Sequence, residues 1–254
     1  MKIVLIGSGN TATVLGTLLK EKGHAIVQVM SRQSLHASKL AEELGCQYTD
    51  RLEDIDREAE CYLMAVSDTA LVELATELSL PGRLVLHTAG SVSKDVLLPV
   101  SEHSGIFYPL QSLRRDLLPY PQIPVLIDAH KEEDLPRILQ LARSISHQVE
   151  KADDETRMKL HLAAILVNNF SNHLYTLAAD LCRKEGLNFS MLLPLIRETA
   201  ERAGRIAPSQ AQTGPAIRGD KETMEKHLEL LGNYPDIQAI YRLFSDEISE
   251  FYRR

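Results

Sequence analysis

The sequence predicts an α/β fold with a doubly wound, mainly parallel sheet, followed by an all-helical second domain. Short apolar runs alternate with helical patterns in the first half, and a glycine-rich turn follows the first apolar run. Strand signals are missing after residue 152. Strands that alternate with helices of this length form parallel sheets covered on both faces. We therefore expect one domain over residues 1–152 and a second over residues 153–254.

The composition is typical of a globular protein with one large domain or two ordinary ones. Apolar residues make up 44% of the 254 residues, and 28 basic against 35 acidic residues give a net charge of −7. This charge argues against nucleic acid or an anionic membrane bound through bulk charge. No apolar run reaches the roughly 20 residues of a membrane span, and we expect no leader before the first strand. Three cysteines without CxxC spacing argue against a disulfide framework, so we expect a cytoplasmic protein.

Seven strands are predicted in the first half, over residues 2–6, 25–30, 61–66, 84–87, 105–108, 123–127 and 147–150. The helices predicted between them cover residues 10–22, 34–44, 69–78 and 131–145. Gly23 and Gly45 end the first two of these helices, since glycine commonly follows the last helical turn. The order of strands and helices is that of consecutive βαβ units.

From Asp153 onward, helical patterns replace strand patterns. The first predicted helix runs to about Lys184, and others start near Ser190, Lys221 and Asp236. Residues 207–219 form a loop rich in proline and glycine, and loops of this length commonly have a function.

A GxGxxA sequence follows the first predicted strand and opens the first helix. In the dinucleotide-binding fingerprint, the first glycine makes a tight turn, the second admits a pyrophosphate, and the small third residue packs the helix on the strand. The helix N-terminus then favours the anion. The alternative is a glycine turn that binds no nucleotide. We expect a Rossmann-like domain with cofactor contacts from Gly7, Ser8, Gly9, Asn10, Thr11 and Ala12.

The end of the second strand predicts which dinucleotide is bound. NAD sites usually carry an acidic residue here, but this chain has Met30-Ser31-Arg32. Arg32 can pair with a ribose 2′-phosphate and Ser31 can donate a hydrogen bond to it, which favours NADP(H). The alternative is that Arg32 is a solvated surface residue.

Two further strand ends are expected to line the same cleft, because ligands bind beyond the carboxyl ends of parallel strands. His87 could donate a proton or orient a substrate, or be a half-buried structural histidine. Helix capping is an alternative role for Ser67 and the favoured one for Asp68. Cofactor contacts are expected here from Ala65, Val66, Ser67 and Thr88. Residues 107–112 favour a structural turn, although Tyr108 and Gln111 could face the cleft.

A polar stripe lies on one face of the long helix. His161, Asn168, Asn172 and Tyr175 fall within about 60° of one another at helical spacing, with Asn169 beside them. No lysine or glutamate occurs between Lys159 and Asp180, so the stripe suits an uncharged cleft better than a solvated face. A solvent face or helix interface remains the alternative. The catalytic candidates are His161, Asn168, Asn169 and His87, and Asn172 is a substrate-binding candidate. No histidines have HxH or HxxxH spacing, so no metal site is expected.

Five motifs are spread over nearly the whole chain: IGSGN (6–10), VLHTAGS (85–91), YPLQS (108–112), HLAAILVNN (161–169) and GPAIRGD (214–220). They resemble those of NADP oxidoreductases that join a Rossmann-like domain to a helical domain of unknown function, relatives of the pyrroline-5-carboxylate reductases and of deazaflavin-dependent NADP oxidoreductases. Tyr108 stands where we expect histidine, and Ala89 where serine is more usual.

The resemblance implies nicotinamide binding by the first domain and a homodimer formed by the helical domain. It also implies an active site between the strand ends and the first long helix. Arg218 would then bind a substrate carboxylate or phosphate; alternatively, it pairs with Asp220 and caps the next helix.

Together these features predict an NADP(H)-dependent oxidoreductase. It would transfer a hydride between the nicotinamide and a small carbonyl, imine or alcohol substrate. One alternative is an NADP(H)-binding regulatory or sensor protein without turnover. The other is a reductase of a flavin-type redox carrier.

Overall fold

The structure is a computed structural model that describes residues 1–253. It divides into two compact units, Met1–Asn169 and Phe170–Arg254. The strands are β1 (Lys2–Ile6), β2 (Ala25–Met30), β3 (Gln47–Thr49), β4 (Cys61–Met64), β5 (Leu84–His87), β6 (Ser104–Pro109), β7 (Val125–Ala129) and β8 (Val149–Lys151). The α-helices of the first unit are α1 (Asn10–Glu21), α2 (Ser34–Leu44), α3 (Asp68–Glu77), α4 (Leu135–Ile145) and α5 (Asp154–Ala164).

Within the described residues, the strands form one sheet in the order β3-β2-β1-β4-β5-β6-β7-β8. Strands β6 and β7 are antiparallel, and the other neighbours are parallel. The predicted doubly wound, mainly parallel sheet is thereby confirmed. β3 was not predicted, because its three residues are too few and too polar to give a strand pattern.

Both faces of the sheet are buried, because alternate residues of β1 supply two separate cores. Ile3 and Leu5 pack with residues of α1, α2 and α4, including Leu15. Val4 and Ile6 pack on the opposite face with residues of α3. Strands buried on both faces consist of continuous apolar runs rather than alternating ones, and such runs predicted most of the strands.

The second unit consists of helices. Its helices are α6 (Ser171–Lys184), α7 (Leu193–Ala203), α8 (Pro208–Ala211), α9 (Pro215–Arg218), α10 (Lys221–Leu230) and α11 (Pro235–Phe251). Between residues 170 and 253, the buried side chains are Cys182, Ala216 and Leu231. Large apolar side chains such as Leu195 and Leu243 are instead exposed. The loop predicted over residues 207–219 contains two short helices, α8 and α9.

The division between the units falls after Asn169, whereas the loss of strand patterns predicted it after residue 152. Helix α5 belongs to the first unit because Leu160 packs with Ile106, Tyr108 and Leu126 of the sheet. The predicted long helix also differs in its geometry, because residues 165–170 form a π-helix. Since a π-turn holds one residue more than an α-turn, the regular helical spacing behind the predicted polar stripe does not continue through it.

Among residues 1–253, none of the helices combines the length and the apolar character that a membrane crossing needs.

His87, the last residue of β5, is fully buried. Its Nδ1 accepts a hydrogen bond from the Ala89 N–H at 3.2 Å. Burial lowers the pKa of His87 to about 4, and the nearby positive charge of Arg157 contributes a smaller effect in the same direction. The imidazole is therefore neutral near pH 7.

We expect the protein to lose stability as the pH falls from 7 to 5. The pKa of His87 is lower in the folded than in the unfolded chain, so unfolding takes up a proton in this range and the stability declines with the pH. This group contributes a loss of about 2 kcal/mol at pH 5. Urea unfolding at both pH values measures the loss in the wild type and in His87→Gln, with exposed His147→Gln as the control. A His87→Gln variant that loses as much stability as the wild type would contradict the assignment.

Candidate functional site

A cavity of about 630 Å³ opens where β1, β2, β4 and β5 end. Eleven of the twelve predicted cofactor residues line it: Gly7, Ser8, Gly9, Asn10, Thr11, Ser31, Arg32, Ala65, Val66, Ser67 and Thr88. The twelfth, Ala12, is fully buried in the core with Ile3 and Leu5. Its position matches the packing role of the small third residue of the fingerprint.

The loop after β1 has the conformation that the fingerprint requires. Gly7 has a φ of 121°, and a Cβ added there would lie 2.2 Å from the Ala65 backbone oxygen. A Cβ added at Gly9, in contrast, meets no atom within 4 Å. Gly9 is the N-cap of α1, and the helix has no side-chain cap, so its first amide N–H groups lack a side-chain acceptor. This open, uncapped helix end fits a pyrophosphate.

The end of β2 forms another part of the wall. The Ser8 hydroxyl donates to the Ser31 hydroxyl at 2.9 Å. Arg32 is exposed and lies 3.1 Å from the Glu73 carboxylate on α3. Exposed ion pairs of this kind contribute little stability, so a ligand phosphate can replace Glu73 as the partner of Arg32. His36 lines the same cavity, although the sequence did not single it out.

The loop after β4 shows which residue caps α3. Ser67 is the N-cap, and its hydroxyl accepts from the Ala70 N–H. Capping was the favoured role of Asp68, and this expectation is corrected. Asp68 is the first helical residue, where its charge suits the helix dipole, and its carboxylate accepts from the Ser91 hydroxyl.

Tyr108 and His161 form a hydrogen-bonded pair in the wall of the cavity. The phenol oxygen lies 2.9 Å from Nδ1, and the two rings meet edge to face. Burial raises the pKa of Tyr108, so the phenol keeps its proton at neutral pH. A Cβ added at Gly90 would lie 2.8 Å from His161 Nδ1 and 3.0 Å from Tyr108 Cζ, so the pair depends on a residue without a side chain.

A second cavity, of about 500 Å³, adjoins the same pair. Tyr108, Gln111 and His161 line both cavities, while Asn168 and Asn169 line the second. Both asparagines belong to the π-helix, and π-helical turns are frequent at functional sites. The described lining residues include no lysine, arginine, aspartate or glutamate. The other lining residues are Leu110, Ser112, Leu160, Ala163, Ala164, Ile165 and Val167.

The structure does not bring all candidates together. His87 lines neither cavity and is fully buried, whereas the structural alternative expected a half-buried histidine. Asn172 and Arg218 belong to the second unit. Asp220 caps α10 by accepting from the Thr223 N–H at 3.1 Å. Hydrogen bonds from Thr223 hold the pKa of Asp220 below its usual value, and the charge of Arg218 adds a smaller effect.

Tyr108 is the site residue that sequence reasoning undervalued. Residues 107–112 favoured a structural turn, yet both Tyr108 and Gln111 line the cavities. The available signal was a tyrosine directly before proline at the end of a strand. Its partner lies 53 positions along the chain, so no local pattern joins the two.

Comparison with known proteins identifies the family. Residues 2–90 match a family model described as NADP oxidoreductase coenzyme F420-dependent, and residues 123–248 match the domain of unknown function DUF2520. No match was found among curated proteins. The structure of a candidate NADP oxidoreductase from Bacteroides fragilis is 40% identical, with 98% of each chain covered and a TM-score of 0.91.

Two more distant structures share the fold. Pyrroline-5-carboxylate reductase from Streptococcus pyogenes is 15% identical, with 98% of each chain covered and a TM-score of 0.67. An imine reductase from Myxococcus stipitatus in complex with NADP+ is 14% identical, with a TM-score of 0.65 over 100% of this chain and 93% of that one. The nearly full-length similarity to the Bacteroides fragilis protein, together with the two family models, shows that the chain belongs to the NADP oxidoreductases that combine an F420-dependent-type oxidoreductase domain with a DUF2520 domain.

Proposed function

We propose that the protein is an NADP(H)-dependent oxidoreductase acting on a small carbonyl, imine or alcohol substrate. The observation that carries this proposal is the Tyr108–His161 pair, which adjoins both the fingerprint cavity and an uncharged second cavity. The names of two proteins that share the fold, an imine reductase and a pyrroline-5-carboxylate reductase, support a substrate with a C=N bond.

The residues of the larger cavity fit a nicotinamide dinucleotide, which supplies or accepts the hydride when bound. The uncapped start of α1 would hold the pyrophosphate. Ser31, Arg32 and His36 would hold a 2′-phosphate, and the only acidic side chain among the described lining residues is Asp68, on α3. This distribution of charge supports NADP(H) over NAD(H). Ala65, Val66, Ser67 and Thr88 would contact the nicotinamide half.

Tyr108 and His161 would transfer the proton to the substrate. The Tyr108 hydroxyl holds a proton that it can donate to a substrate nitrogen or oxygen, and His161 Nδ1 lies at hydrogen-bond distance to resupply it. Gln111, Asn168 and Asn169 can orient a polar substrate without adding charge. Apolar neighbours in the second cavity, such as those from α5, would limit the access of water.

We also propose that the second unit forms a homodimer. Its exposed apolar side chains include Leu174, Leu187, Met191, Leu195, Leu243 and Phe244. So many exposed apolar groups, with few buried ones, are typical of a surface that packs against a second copy.

If the protein is a homodimer, light scattering should give a molar mass twice the 28.4 kDa of the chain. Leu243→Glu should weaken the dimer, because it places a charge on an exposed apolar position of α11. A wild-type protein that stays monomeric at every concentration would contradict the proposal.

Arg32→Gln should weaken NADPH binding about tenfold or more, because a charged hydrogen bond to the 2′-phosphate is lost. The affinity for NADH should change little. Glu73→Gln is the matched control: it removes the competing partner of Arg32 and should leave NADPH binding unchanged or tighter. Calorimetric titration of NADPH and NADH into the wild type and both variants measures these affinities. NADH binding as tight as NADPH binding in the wild type would refute the preference.

Tyr108→Phe should lower kcat by about 10²- to 10⁴-fold, the usual contribution of a positioned proton donor. The affinity for NADPH should be retained, because the hydroxyl serves the substrate. Loss of NADPH absorbance over a panel of imines and carbonyls measures turnover, and Tyr48→Phe is the control because Tyr48 is exposed. A wild-type kcat in Tyr108→Phe would remove this residue from the mechanism.

The same panel separates the alternatives. Tight NADPH binding without turnover of any compound would favour a sensor. Turnover only after addition of a flavin or deazaflavin would favour a carrier reductase, a reading that the F420-dependent family model over residues 2–90 supports.

A further inference from the structure

Arg157 is a buried charge one helical turn before the proposed proton-transfer residue. It is the largest fully buried side chain among the described residues, with 1% of its surface exposed. Arg157 and His161 are four positions apart on α5, so their side chains lie on the same helix face. The proposed catalysis does not use Arg157 directly, because it lines neither cavity.

The partners of Arg157 join α5 to the loop after β5. Its Nη2 donates to the Val92 backbone oxygen and, at 2.8 Å, to the Asp154 carboxylate. Asp154 also accepts from the Lys94 N–H at 3.2 Å and from the Ser93 hydroxyl. The arginine and the aspartate therefore bind the first turn of the helix to residues 92–94.

This connection is costly for stability. A buried guanidinium loses its hydration, and the Nε and Nη1 atoms of Arg157 have no hydrogen-bond partner among the described residues. An apolar side chain of similar size would avoid this cost. Because the burial of this guanidinium lowers the stability, we infer that Arg157 has a geometric role and does not merely stabilise the fold.

Gly90 lies in the same loop, where the space between the backbone and the Tyr108–His161 pair is small. A Cβ at this position would lie 2.8 Å from His161 and 3.0 Å from Tyr108, so the loop backbone already packs tightly against the pair. A small shift of α5 along the loop would therefore either collide with Gly90 or stretch the 2.9 Å contact between the two side chains.

We propose that Arg157 is a positioning residue: together with Asp154 it holds α5 against the loop after β5 and so keeps His161 within hydrogen-bond distance of Tyr108. This inference rests on the proposed function, since it assigns a role in the same proton transfer. It concerns residues of the first unit alone.

The surroundings of Tyr108 provide a readout that does not need a substrate. Burial has the largest effect on the pKa of this phenol and raises it. The positive charge of Arg157 acts in the opposite direction, and the carboxylate of Asp68 raises the pKa slightly. His161 is the ring in direct contact with the phenol.

The experiment compares Arg157→Met, which removes the charge and the donors, with Arg157→Lys, which keeps the charge but not the planar fork. Lys159→Met is the control, since it removes an exposed cation from the same helix. The kcat and KM values are measured below the melting temperature of each variant. The Tyr108 titration is followed by ultraviolet difference spectra against the same variant carrying Tyr108→Phe.

We expect Arg157→Met to lower kcat about 10- to 100-fold with little change in KM for NADPH, because small displacements of catalytic groups have effects of this size. The Tyr108 titration should move to higher pH. Arg157→Lys should restore the titration and recover only part of kcat. Lys159→Met should leave both unchanged.

A folded Arg157→Met variant with a wild-type kcat would overturn the inference, whatever its Tyr108 titration. Should Arg157→Met fail to fold, the kcat values of Arg157→Lys and Asp154→Asn test the inference instead. A wild-type kcat in both variants would refute the positioning role. If the wild type turns over no substrate, the proposed function fails. The positioning role is then judged by the Tyr108 titration in Asp154→Asn, which keeps the Arg157 charge but weakens its connection to the helix, and an unchanged midpoint in this variant would refute it.

Discussion

The parallel pairing of β1 with β2 on one side and β4 on the other is the constraint on which the site depends. Parallel neighbours end at the same edge of the sheet, so the loops after β1, β2, β4 and β5 must converge. Gly7, Ser31, Ala65 and Thr88 follow these four strands, and all of them line the larger cavity. The cavity is thus a consequence of strand order, while its chemistry depends on which residues follow each strand.

Two glycines let separate parts of the chain approach closely at this edge. The loop after β1 passes the Ala65 carbonyl so closely that a Cβ at Gly7 would overlap it. The loop after β5 passes the Tyr108–His161 pair in the same way at Gly90. Gly9 differs, since the space beside it is open to a ligand. Glycine therefore serves internal packing at two positions and ligand access at the third.

Around the proposed reaction centre, uncharged side chains line the second cavity, and charged groups are buried outside it. The side chains that line the second cavity are uncharged, and burial favours the neutral forms of both Tyr108 and His87. The buried charge of Arg157 lines neither cavity and is paired with Asp154. Such an arrangement keeps the Tyr108 phenol neutral while the buried charge of Arg157 still acts on it, since interactions with a buried charge are weakly screened.

The sequence by itself determined the doubly wound sheet, the fingerprint loop and the uncharged stretch between Lys159 and Asp180 that includes His161, because these depend on local patterns of apolar, small and polar residues. The tertiary structure decided that Tyr108 pairs with His161, that His87 is buried and that α5 packs as part of the first unit. In a strand buried on both faces, no alternation of polarity shows which way a side chain such as His87 points. Contacts between residues far apart in the chain depend on how whole elements pack, and local periodicity contains no information about that packing.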